Sequence, residues 1–101
     1  MATQDTYHDE ERQPAVAGSF YPADPLDLSR MLSGYLSETK RTVFAEKVQG
    51  IIAPHAGYMY SGAVAASAYK ELDGLKFDTV VVIAPSHTTF FQGASIYNGS
   101  A

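Results

Sequence analysis

Two histidines in this chain follow two copies of one short pattern. Gly50-Ile51-Ile52-Ala53-Pro54-His55 carries an apolar run into Ala-Pro-His. Val80-Val81-Val82-Ile83-Ala84-Pro85-Ser86-His87 carries another into Ala-Pro-Ser-His. Neutral imidazole is a ligand for iron, copper, zinc and nickel. A pattern that twice delivers a histidine to the end of a strand-like segment therefore reads as two ligands of one metal site, His55 and His87. Proline ahead of each histidine restricts the backbone and helps to aim the side chain. One such histidine alone would more often be a hydrogen-bonded loop residue; the repetition carries the metal reading. Two ligands neither complete a site nor choose the metal.

Other chemistry-bearing residues point less sharply. Ser61 and the pair Ser86-His87 invite a nucleophile reading, but neither lies in a G-x-S-x-G turn, so hydrolase chemistry is set aside. Tyr58 and Tyr60 flank the first histidine loop and either line a pocket or pack. Thr88, Thr89, Phe90 and Phe91 form either a pocket wall or a covering loop. A helix opening at Ser61-Gly62 would present free N–H groups that suit an anionic substrate or a bound oxygen species. His8 sits among Asp9, Glu10 and Glu11 in a polar stretch, Met1 to Arg12, that reads as a solvated tail.

The elements that must position the histidines are legible from pattern. Lys47–Ala53 reads as a strand, with Gly50 allowing close approach of a neighbour. A helix follows from Ser61 or Gly62 to about Leu72, with Val64, Ala65, Ala68, Tyr69 and Leu72 as its inward face. Gly57 is read as permitting the turn before it, and Gly74 as the left-handed residue after it. Thr79–Ala84 is a second strand rich in valine, and Ala94–Tyr97 is the start of a third. Strand, helix, strand is a βαβ unit of about 30 residues, which suits the spacing of the histidines. Its crossover is right-handed and its strands parallel. Both histidines then leave the carboxyl edge, where open α/β sheets bind ligands, from strands about 4.8 Å apart.

Ahead of this unit, Asp24 is a helix N-cap with Pro25 at the first helical position. Leu28, Met31, Leu32, Tyr35 and Leu36 fall on one helical face, and Lys40 and Arg41 suit the helix end. The segment Pro14–Tyr21 is expected to run extended and to pack Val16 and Phe20 onto the body. Val43 and Phe44, in the polar connection that follows the helix, are expected to cover an edge of the core.

The totals bound the class. With 101 residues the chain is one domain at most. Its net charge of −4 lacks the clustered Lys and Arg of a nucleic-acid surface. There is no cysteine, hence no disulfide or thiolate ligand in these residues. No run is long enough for a membrane span, and the polar start is no secretory signal, so a cytoplasmic location is expected. The chain stops at Asn98-Gly99-Ser100-Ala101 without a domain-like finish, and a fragment is expected.

The blocks PAVAGSFYPADP, IIAPHAGYMYSGAVAASAY and VVIAPSH, spanning about Arg12 to Tyr97, resemble the N-terminal third of the Memo family, whose prokaryotic members are often called AmmeMemoRadiSam system protein B. The resemblance implies an α/β fold, similar to class III extradiol dioxygenases of the LigB type. Residues 1–12 would be a tail and 13–101 the N-terminal portion of a Memo-like domain. It implies His55 and His87 as the two N-terminal metal ligands, with a third, Cys or a carboxylate, outside these residues. It places the stretch Gly18-Ser19-Phe20-Tyr21 and Tyr60 near the pocket; with Tyr58 and Ser86, Phe20 and Tyr60 are the expected pocket-lining residues. It implies iron(II) or copper as the metal. It also implies a radical-SAM protein and an AMMECR-type protein as partners, with a small molecule or peptide as ligand. Three functions follow as expectations: a metal-binding Memo-family protein of unsettled reaction, an iron(II) extradiol ring-cleaving dioxygenase, and a non-catalytic module that grips a peptide or partner in the same pocket.

Overall fold

The computed structural model describes residues 11–42 and 47–100. His8, Val43 and Phe44 lie outside these residues. The described chain divides into two compact units. One is Ala15–Lys76; the other combines the described parts of Met1–Pro14 and Phe77–Ala101.

The first unit is built on two packed helices. Helix α1, Pro25–Ser37, begins where the sequence places it: the Asp24 carboxylate accepts from the Leu26 and Asp27 N–H groups at 2.9 and 3.0 Å. Two of the donors that every helix start leaves open are thereby satisfied. Leu28, Met31, Tyr35 and Leu36 turn partly out of solvent, while Leu32 stays on the rim. The helix stops sooner than its charges suggest. Glu38 is the C-cap, and no basic residue lies in the last turn, so Lys40 and Arg41 fall beyond it. Hydroxyls serve the end instead: Ser37 Oγ donates to the Gly34 carbonyl at 2.9 Å and Thr39 Oγ1 to that of Tyr35 at 3.0 Å.

Helix α2, Tyr58–Tyr69, starts three residues ahead of Ser61, with Gly57 at the N-cap, and passes into a 3-10 turn over Lys70–Leu72. Its early start has a tertiary cause: the Tyr58 N–H donates to the Phe20 carbonyl at 2.8 Å. Gly57 itself has φ −50°, open to any residue, so the turn does not require glycine there. Gly74, at φ +78°, does occupy the left-handed region expected of it.

The buried face of α2 also differs from expectation. Ser61, Gly62 and Ala66 are buried, whereas Val64 is 64% exposed. At Gly62 a side chain of α1 lies against the α2 backbone. A Cβ there would stand 2.7 Å from Cε2 of Tyr35, inside van der Waals contact. The residues of α2 that are buried are small ones, and at Gly62 the Tyr35 ring occupies the room a side chain would need. Gly50, by contrast, faces open space.

Residues 16–21 fold back instead of running extended. Gly18, at φ +82°, donates its N–H to the Tyr21 carbonyl at 2.7 Å, and Phe20 N–H returns to Val16 at 2.9 Å. Val16 and Phe20 consequently remain exposed, and it is the Phe20 backbone that docks. The Tyr21 and Tyr58 rings meet with centroids 5.3 Å apart. At the far end, Glu71 is buried and accepts the Thr42 N–H on Oε1 at 2.8 Å, tying the connection after α1 to the end of α2.

In the second unit the Arg12 N–H donates to the Ser100 carbonyl at 2.7 Å, and Glu11 pairs with Ser100 in a parallel bridge. The last two residues of the polar stretch are therefore tied down. Thr79–Ala84 and Ala94–Tyr97, like Lys47–Ala53 in the first unit, form no strand ladder among the described residues. Val80–Ile83 is exposed throughout, to 91% at Ile83.

Candidate functional site

His55 lies at a cleft of about 450 Å³ in the first unit. Leu32 and Tyr35 of α1, and Tyr58, Ala65 and Tyr69 of α2, line it with the histidine. An apolar cleft with a few polar groups is the usual form of a small-ligand site.

Three hydrogen bonds hold the turn that carries His55. Ser61 Oγ, one turn into α2, donates back to the Ala56 carbonyl at 2.9 Å. Tyr35 Oη donates to the Tyr58 carbonyl at 3.0 Å. The Tyr58 N–H is taken by Phe20. The backbone on both sides of Gly57 is thus fixed from α1, from α2 and from the 16–21 turn. These bonds also change the reading of the helix start. The Tyr60 and Ser61 N–H groups both donate to the Gly57 carbonyl, at 2.9 and 3.1 Å. They do not form the open anion cradle expected at Ser61-Gly62.

The other expected site residues fall as follows. Tyr58 lines the cleft with His55, while Phe20 and Tyr60 are exposed outside its lining. Ser86 and His87 belong to the second unit. The Ser86 hydroxyl closes its own loop, donating to the Thr89 carbonyl at 2.6 Å and accepting the Thr89 N–H at 3.2 Å. Both are exposed, as are Phe90 and Phe91.

Among the described residues, no group of three or more His, Cys, Asp or Glu side chains is placed to hold a metal. The donor chemistry of two imidazoles fits a first-row transition metal, and a full donor set needs groups beyond these two. Sequence reasoning missed two contributors to the site, Ser61 as a buried donor and Tyr35 as more than core. The available signal for Tyr35 was its phenol, which needs a partner once the ring packs.

A family model described as Memo-like protein matches residues 12–101. Among curated proteins, the chain is 45% identical over 98 residues to a MEMO1 family protein of Methanothermobacter thermautotrophicus, covering 89% of this chain and 35% of the relative. It is 46% identical over 88 residues to one of Methanopyrus kandleri, covering 77% and 30%. It is 40% identical over 93 residues to one of Aquifex aeolicus, covering 89% and 32%. The chain spans about a third of the length of these relatives. No solved structure matches it.

Proposed function

Because this chain belongs to the Memo-like family, we propose that it is part of a metal-binding protein in which His55 and His87 are two ligands of one non-haem metal ion. The observation that carries this reading is the repeat itself, Ile52-Ala53-Pro54-His55 and Ile83-Ala84-Pro85-Ser86-His87. The position of His55 beside an apolar cleft supports it, since such walls hold a small ligand next to a metal while limiting water. The same proposal includes the α/β fold, with Lys47–Ala53 and Thr79–Ala84 as parallel strands of one sheet.

A bound iron or copper ion would supply Lewis-acid or redox chemistry in this cleft. The chain's own contribution is a histidine on a hydrogen-bonded turn and an apolar wall. The test uses the full-length protein. Elemental analysis of the purified protein should find iron or copper, and His55→Ala and His87→Ala should each lose most of it. Full metal retention in both variants would overturn the proposal. Oxygen uptake with a panel of catechols, accompanied by ring-opened product, would assign extradiol cleavage to the site. Metal without oxygen uptake would leave it a metal-binding Memo-family protein of another reaction.

A further inference from the structure

We propose that Ser61 and Tyr35 are positioning residues for His55. They act through the backbone carbonyls that follow it and touch no ligand themselves. The inference rests on the reading of His55 as a metal ligand.

A serine inside a helix commonly bonds a carbonyl three or four residues back within the same helix. Ser61 reaches five residues back, past the Gly57 cap, to Ala56, the residue directly after His55. Ser61 is only 8% exposed, so this bond meets little competition from water. Tyr35 comes from the other helix, twenty-three residues away in sequence, and donates to Tyr58 on the far side of the same turn. Its ring is seated over Gly62, where even a methyl group would collide with it. The phenol therefore has little freedom to move off the Tyr58 carbonyl. Phe20 supplies the third anchor through its carbonyl.

Together the two hydroxyls hold the carbonyls of Ala56 and Tyr58, the first and third residues after His55. A turn held at both points restricts the direction in which the His55 Cα–Cβ bond leaves the backbone. A metal ligand benefits from such restriction, because less conformational freedom is lost on binding.

The test combines amide hydrogen exchange with cobalt(II) titration of the full-length protein, in wild type, Ser61→Ala, Ser61→Thr, Tyr35→Phe and His55→Ala. In S61A and Y35F, exchange over residues 55–60 should rise about tenfold or more while the α1 amides keep their protection. Cobalt affinity should fall about tenfold in both, the low end of what outer partners of metal-binding histidines contribute. S61T, which keeps the hydroxyl, should restore both readouts. Unchanged exchange over 55–60 overturns the proposal. So does exchange raised equally across α1 and α2, which marks a purely structural role. Wild-type cobalt affinity in S61A and Y35F, with affinity lost in H55A, overturns it as well. Wild-type affinity in H55A, with the turn loosened in S61A and Y35F, shows instead that the turn is positioned as argued and that the metal reading of His55 fails.

Discussion

The Tyr35 ring fills the space over Gly62 while its hydroxyl bonds the Tyr58 carbonyl. Packing and hydrogen bonding are therefore coupled at one side chain. In Gly62→Ala the methyl would displace the ring and stretch that bond. The variant should be destabilised by about 1–3 kcal/mol, as overpacked sites usually are, read as a lower urea midpoint. Adding Tyr35→Leu should recover part of the loss, giving a coupling energy in the double-mutant cycle. Sequence spacing identified Tyr35 as an inward residue of α1, because its partners recur at helical period. It could not identify Gly62 as the point of contact, since a missing side chain leaves no mark in a hydrophobic pattern. The buried Glu71 was equally illegible: a glutamate near a helix end reads as solvated until the Thr42 N–H is brought to it.

At the scale of elements, α1 is the one whose start is written locally. Asp24→Ala should cost about 1 kcal/mol, while Asp24→Asn should keep most of the cap; thermal or urea unfolding distinguishes the two. Gly74→Ala should cost about 1–2 kcal/mol by forcing an L-residue into the left-handed region, again read by unfolding. The start of α2 is different in kind. Gly57 offers no side-chain cap, and the first N–H of the helix is met by Phe20 from a distant turn. No residue type near Tyr58 announces such a bond, which is why pattern alone places the start at Ser61 or Gly62. The expected strands meet a related difficulty. An apolar run of four to seven residues states a preference, but a strand exists only when neighbours accept its hydrogen bonds. Lys47–Ala53 and Thr79–Ala84 have no such neighbours among the described residues.

For the molecule as a whole, the distribution of apolar surface has a direct consequence. Val80–Ile83, Phe90 and Ile96 are all largely exposed. Unpaired, apolar, β-branched segments associate with one another. The 101-residue chain produced alone should therefore self-associate at micromolar concentration in sedimentation velocity. Val81→Lys with Ile83→Lys should shift it toward monomer. A sharp monomer peak for the unaltered chain would contradict this. Among the described residues, no helix is long and apolar enough to cross a membrane, consistent with the absence of any long apolar run.

The Asp24 cap, the half-buried face of α1 and the left-handed Gly74 were all available from the sequence. Each depends on neighbours within a few positions, where helical period and backbone sterics speak directly. The face that α2 buries, the place where it begins and the hydroxyls that steady the His55 turn came from packing. An alanine-rich helix has little contrast around its circumference, so its sequence names no inward side. The Tyr35 ring packs where Gly62 leaves room for it, and its phenol reaches the backbone beyond His55.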